Sequence, residues 1–136
     1  MKKKTSVNIV AKNEEGKYLL QMRNNNPGIC DPLTWNLFGG KVEEGEEIIE
    51  AGIREFSEEA GILGEENDYV PAGHIEYNDI PKQKIDTIHL VEYTKPVSWS
   101  DIDLNEGAGA AFFTIEEMKQ INITDRLREI INIIQS

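Results

Sequence analysis

From residue 5 to 11 (TSVNIVA) small or apolar side chains alternate with polar ones, and residues 17–23 (KYLLQMR) form a second apolar run. Asn13-Glu14-Glu15-Gly16 between them has turn chemistry, so the two segments are expected to form a hairpin. Residues 24–33 are rich in Asn, Pro and Gly and read as a loop leading into Trp35-Asn36-Leu37-Phe38-Gly39-Gly40. The period then changes. Ile49, Ile53, Phe56 and Ala60 recur at helical spacing and predict a helix over residues 46–60, with Gly61 placed as its left-handed cap. Residues 69–77 and 84–93 read as two strands that pair, the second with Ile85, Thr87, His89 and Val91 on one side. After a loop over 101–109, residues 110–113 are expected as a short strand, and Thr114 opens a helical turn with a capping-box pattern. Thr124 or Asp125 is placed to cap a last helix through Ile133. No repeat, low-complexity tract or linker interrupts the order, so residues 1–136 are read as a single α/β domain with a largely antiparallel or mixed sheet.

The composition narrows the classes of function. A chain of 136 residues with 39% hydrophobic and 29% charged residues suits a soluble globular domain, too apolar for disorder and too polar for a membrane bundle. No apolar run approaches the roughly 20 residues that span a bilayer, so no membrane partner is expected. The basic start lacks an apolar leader segment and a cleavage site, and the lone Cys30 cannot close an internal disulfide. A cytoplasmic protein is the expectation. The net charge of −11 makes a nucleic-acid duplex a poor partner, because replacing phosphate counterions needs Lys and Arg.

That charge is concentrated. Residues 42–66 carry ten Glu and one basic residue, Arg54, a local balance of −9. On a helical wheel Ile49, Ile53, Phe56 and Ala60 make the expected buried stripe, while Glu55, Glu58 and Glu59 fall within roughly 100° of one another on a different arc. They are expected to project together into solvent or a cleft. A Glu-rich helix is ordinarily a solvated face. Two costs argue against that here: like charges at i,i+3 and i,i+4 lose about 0.2–0.5 kcal/mol each, and Glu58 and Glu59 stand in the last turn, where the helix dipole favours cations. A hard divalent cation with oxygen ligands offsets both. Gly39-Gly40 permits close backbone approach, and Arg54 can orient a carboxylate or meet a phosphate. Metal-assisted chemistry on a phosphate ester or anhydride follows.

These residues also carry a family resemblance. The segment from Gly40 to Ile62 resembles the Nudix box, Gx5Ex7REUxEExGU with U a bulky aliphatic, and Gly40, Glu46, Arg54, Glu55, Glu58, Glu59 and Gly61 match its fixed positions. Phe56 departs from the usual aliphatic. The resemblance implies an α/β/α sandwich with a mixed central sheet and a loop-helix-loop catalytic motif. It implies a Nudix hydrolase of the MutT type that cleaves a pyrophosphate bond with Mg²⁺ or Mn²⁺. By motif position Glu55, Glu58, Glu59 and a carbonyl at Gly39-Gly40 resemble metal ligands. Arg54 resembles the residue that steadies the carboxylates, and Glu46 the one that ties loop to helix. Glu106 is similar to a loop glutamate that in such enzymes completes the metal site or acts as base.

The substrate implied is a small nucleotide, most simply a nucleoside triphosphate cleaved to monophosphate and pyrophosphate by in-line attack of an activated water. A nucleotide sugar, ADP-ribose or a non-catalytic nucleotide sensor are the alternatives. Residues 35–42 resemble the corresponding stretch of oxidised-purine nucleotide hydrolases, but Thr124 stands where MutT-type members place a base-reading Asn, and Asn122 lies a turn away. Arg23 and Lys41 are candidate phosphate ligands; Lys82 and Lys84 in a turn read as solvated. Trp35 reads as core, and His74 and His89, without zinc-type partners, as structural. Relatives of this kind are often homodimers, which the resemblance leaves open.

Overall fold

A computed structural model describes residues 2–23, 33–105 and 109–135. Cys30 and Glu106 lie outside them. Seven strands, β1 (Lys2–Val10), β2 (Tyr18–Met22), β3 (Trp35–Asn36), β4 (Phe38–Lys41), β5 (Tyr69–Asp79), β6 (Lys84–Tyr93) and β7 (Gly109–Phe113), combine with three helices, α1 (Ile48–Ala60), α2 (Ile115–Met118) and α3 (Asp125–Gln135). A four-stranded sheet runs in the order β4-β1-β6-β5 and a three-stranded one β3-β2-β7. Within the larger sheet β1 lies parallel to β6 and antiparallel to β4. The fold is therefore an α/β arrangement with a mixed sheet, as the motif implied.

The expected hairpin forms only at its turn. Asn13 N–H donates to the Lys17 carbonyl (2.9 Å), Leu19 N–H to Ala11 (2.9 Å), and the Asn13 side chain accepts from the Glu15 and Lys17 amides. Beyond the isolated bridge between Lys12 and Tyr18 the strands part, β1 to one sheet and β2 to the other. The reason lies in burial: Ser6 to Ala11 are buried without interruption, which a central strand covered on both faces requires. β1 also begins earlier than its alternation suggests, because Lys2, Lys3 and Lys4 continue the parallel ladder opposite Lys84, Ile85 and Asp86. β5 and β6 pair as expected, with a register shift between Pro71 and His74.

Alternation along β1 and β6 divides the interior. Val7, Ile9, Val91 and Tyr93 join Phe56, Ala51 and Ala60 of α1 in one core, while Val10, Ile88 and Leu90 join Leu127, Ile130 and Ile131 of α3 in the other. The departure from the family pattern at position 56 has a packing reason. Phe56 is fully buried, its ring edge-on to Phe38 (5.9 Å) and Tyr93 (5.5 Å). Such pairs add about 0.5–1.5 kcal/mol beyond burial.

The helix ends read correctly in sequence. Gly61 is left-handed (φ 69°) and its N–H bonds to the Ser57 carbonyl (3.1 Å). Thr114 caps α2, and the Thr124 hydroxyl accepts from Leu127 N–H (3.1 Å) at the start of α3. The buried face of α1 is turned from the expected stripe. Ala51, Gly52, Phe56, Glu59 and Ala60 are buried, whereas Ile49 and Ile53 are only partly so. Gly52 allows this, since a Cβ there would stand 2.9 Å from Val91 Cγ2.

Phe56→Ala is expected to lower stability by about 3–5 kcal/mol, and Phe56→Leu by much less, in urea denaturation followed by circular dichroism. A loss under about 1 kcal/mol for Phe56→Ala would show that the ring does not organise this core.

Candidate active site

The segment from Lys41 to Glu47 is a turn built before a helix. Val42 N–H ties it to the Thr5 carbonyl (2.9 Å), Glu46 N–H bonds back to the Glu43 carbonyl (3.0 Å), and Gly45 takes φ 80°. Glu43 N–H in turn donates to Glu46 Oε1 (3.0 Å), and Glu47 N–H to Glu50 Oε1 (2.9 Å), which opens α1.

Arg54 sits at the centre of this loop and helix. Its Nε and Nη2 donate to Glu46 Oε2 (2.7 Å) and Oε1 (3.0 Å), a two-pronged pairing. Nη2 also donates to the Lys41 carbonyl (3.0 Å), while Nη1 reaches Glu55 Oε1 (2.8 Å) and Glu58 Oε2 (3.3 Å). The guanidinium bonded to it, with the Glu43 N–H, pulls the Glu46 carboxyl down to about 2. The same contacts push the Arg54 pKa further above its ordinary value, Glu46 foremost.

The three helix carboxylates, expected to project together into solvent or a cleft, differ in exposure. Glu58 is open, its side chain 58% exposed, and Glu55 is only 12% exposed. Glu59 is buried, at 7%. Two contacts enclose it: Gly39 N–H donates to Glu59 Oε1 (3.0 Å), and residues 103–105 close over the end of the helix through Asp103 N–H to Ala60 (2.8 Å) and Asn105 N–H to Glu59 (3.0 Å). On the opposing strand Gly39 has no room for a side chain, and Gly40 leaves open the space that the Glu55 carboxylate occupies. A Cβ on Gly40 would fall 2.5 Å from the Glu55 carboxylate, and one on Gly39 would collide with the Val7 carbonyl.

This arrangement suits a hard cation by its chemistry. The side-chain donors are carboxylate oxygens, and the bare backbone at Gly40 is the cradle in which Glu55 rests. Among the described residues no three acidic, His or Cys side chains form a ready-made metal cluster, and Arg54 holds Glu55 and Glu58 where a cation would compete.

The other sequence candidates are spread more widely. Arg23 follows β2, its N–H bonded to the Thr34 carbonyl (2.9 Å) and its carbonyl to Leu33 N–H (3.1 Å). Lys41 is exposed at the end of β4. Thr124 is buried, its hydroxyl engaged as the α3 cap and its N–H bonded to the Trp35 carbonyl (3.1 Å). Trp35 lies edge-on to Phe113 (4.9 Å) in the core against α3. His74 and His89 face each other across β5 and β6 with ring centroids 5.6 Å apart, and burial, then its neighbour, lowers the His89 pKa.

One group escaped the sequence reading. Asn8 Oδ1, Gln21 Oε1 and Asn36 Oδ1 are buried without a hydrogen-bond partner, a cost of about 1–3 kcal/mol each. The signal was available: each is a single amide in an otherwise apolar strand stretch (VNIV, LLQM, TWNLF).

A family model described as the NUDIX domain matches residues 2–132. No curated protein matches the chain. Among solved structures, a MutT protein from Methanosarcina mazei Go1 superposes with TM-score 0.80 at 24% identity, covering 96% of this chain and 91% of that one. A Caenorhabditis elegans Ap4A hydrolase gives 0.69 at 21%, covering 97% and 95%. The dihydroneopterin triphosphate pyrophosphohydrolase of Escherichia coli gives 0.70 at 16%, covering all of both chains. At these identities the structures attest the fold, and the family model the lineage. With Gly40, Glu46, Arg54, Glu55, Glu58, Glu59 and Gly61 set on one loop and helix as the motif requires, the chain belongs to the Nudix family and is a Nudix hydrolase.

Proposed function

We propose that the protein hydrolyses a nucleoside triphosphate to the monophosphate and pyrophosphate, with Mg²⁺ or Mn²⁺ held by Glu55, Glu58, Glu59 and the backbone at Gly39-Gly40. The observation that carries this reading is the Glu55 carboxylate laid against Gly40, with Glu58 and Glu59 beside it on one helix. The neighbours' names, which include a triphosphate pyrophosphohydrolase, support a phosphoanhydride as the bond broken. The cation, when bound, supplies charge neutralisation at the phosphate oxygens and acidifies water.

The protein's own groups divide the remaining work. Arg54 is a positioning residue that fixes Glu55 and Glu58 and is itself held by Glu46. Arg23 and Lys41 are assigned to the substrate phosphates, and Thr124 to the pocket wall beside Trp35. A water attacks phosphorus in line with the departing oxygen, and a carboxylate of the Glu55, Glu59 and Glu106 set takes its proton. The bond from Gly39 N–H orients one Glu59 oxygen.

Release of phosphate or pyrophosphate across nucleoside triphosphates, nucleotide sugars, ADP-ribose and dinucleotides, with and without Mg²⁺, tests the reaction. Turnover of triphosphates dependent on the cation is expected; turnover confined to sugar nucleotides or ADP-ribose would reassign the substrate, and silence throughout would favour a nucleotide sensor. Glu58→Gln and Glu59→Gln should each lower kcat by about 10²–10⁴-fold with unchanged circular dichroism, and near-normal turnover in both would overturn the assignment.

Glu46→Gln separates positioning from chemistry. It should cost about 1.5–3 kcal/mol at neutral pH, the worth of a hydrogen bond to a charged group. Because the Glu46 carboxyl titrates at about 2 when folded against 4.5 ordinarily, its stabilisation is complete above 4.5 and is lost as pH falls toward 2. Urea midpoints of wild type and variant should therefore converge on acidification; a constant gap across that window would show that the Arg54 pairing is not its source.

A further inference from the structure

His74 and His89 are fifteen residues apart, with no Cys or further His at metal-ligand spacing, so the sequence hides what the sheet assembles. His74 of β5 lies directly opposite His89 of β6, and their ring centres are 5.6 Å apart. A metal about 2.0–2.1 Å from a ring nitrogen stands about 3.2 Å from that ring's centre, so two imidazoles on a tetrahedral ion have centres about 5.2 Å apart. A small side-chain adjustment covers the difference. Glu76 follows His74 by two residues, opposite Thr87, and strand alternation puts its side chain on the same face as both rings. It is a diagonal neighbour of His89, a position within reach of long side chains.

The place is open to solution and separate from the Nudix carboxylates. His74 and Glu76 are exposed, while His89 and Thr87 are partly buried. The rings continue a row across the larger sheet, in which Gly40 lies opposite Val7, Val7 opposite His89 and His89 opposite His74. His89 therefore stands two strand spacings, about 10 Å, from the Gly40 against which Glu55 rests. Helix α1 covers the interval, since a Cβ on Gly52 would be 3.7 Å from Val7 Cγ2. One ion cannot serve both places. The other charged cluster of this sheet is satisfied within itself: Asp86 accepts from Ser6 Oγ (2.8 Å) and lies 3.9 Å from Arg126, which also pairs with Asp79.

We propose that His74 and His89 form a binding site for a borderline divalent cation, Zn²⁺ foremost, with Glu76 as the third ligand and water completing the tetrahedron. Donor chemistry distinguishes it from the Nudix carboxylates. Imidazole nitrogen suits Zn²⁺, Ni²⁺ and Cu²⁺, whereas Mg²⁺ and Mn²⁺ prefer oxygen. Among the described residues no three such side chains are already gathered about one point, so the two imidazoles are the fixed part of the site and Glu76 swings in on binding. The ion ties β5 to β6 midway along their pairing, beside the register shift between Pro71 and His74. Because it needs the paired strands, it stabilises the folded chain according to its occupancy. The site is independent of the hydrolytic reaction.

The chain has only two histidines, so its imidazole NMR signals report on this site alone. In untagged protein at about pH 8, where free imidazole is neutral, and with the carboxylates saturated by excess Mg²⁺, one equivalent of Zn²⁺ should shift the ring signals of both histidines and raise the melting temperature. His74→Gln and His89→Gln should each weaken Zn²⁺ binding about 10-fold or more by calorimetry, and Glu76→Gln by a smaller factor. His74→Gln, at an exposed position, carries the test should His89→Gln not fold. Ring signals that stay in place, a shift confined to one ring, or equal Zn²⁺ affinity in wild type and His74→Gln would overturn the site and mark a pair that only stacks. Displacement of Zn²⁺ by Mg²⁺ would do the same, by placing the ion on the Nudix carboxylates. Unchanged affinity in Glu76→Gln would overturn its place as the third ligand.

Discussion

The site depends on a single cation among glutamates. Arg54 is the only basic residue between positions 42 and 66, and its fork is divided between Glu46 on one side and Glu55 and Glu58 on the other. Without it the i,i+3 and i,i+4 repulsions of α1 would act with no opposing charge at the end of the helix where the dipole is already negative. The guanidinium also joins two elements with no backbone ladder between them, because it reaches the Lys41 carbonyl and Glu46 at once. Loop geometry, helix stability and carboxylate placement are consequently one electrostatic problem with one solution.

Packing supports that arrangement from beneath. Gly52 lets α1 settle on Val91, and Phe56 fills the space between Phe38 and Tyr93. Phe38 stands immediately before the glycine pair. The ring contact between helix and strand therefore sets the same separation that Glu55 needs above Gly40. A rigid apolar floor and a polar clamp cooperate to hold flexible side chains in one geometry.

Much of this was legible in the chain itself. The helix, its left-handed end at Gly61, the Thr114 and Thr124 caps and the β5–β6 pairing follow from local chemistry, which acts over a few residues. The Nudix motif was legible for the same reason, since its spacing is confined to one loop and helix. The separation of β1 from β2 was not, because partner choice depends on residues 38–41 and 84–92 far along the chain. The burial of Glu59 was equally hidden: it is enforced by Gly39 and residues 103–105, which a helical wheel does not contain. Asn8, Gln21 and Asn36 were visible as letters, but their lack of partners is a property of the assembled sheets.

Strand register acquires a chemical meaning at β4. Gly39 and Gly40 face opposite sides of a ladder whose pairing with β1 runs from Ile9–Phe38 to Ser6–Lys41. A slip by one residue would exchange those faces. It would bring either the Lys41 stem or the Gly39 position beneath Glu55, and would move the amide that holds Glu59. Hydrophobic register, enforced by Phe38 in its core, thus acts as the proofreader of an ionic site: a misaligned strand is rejected for reasons of packing alone.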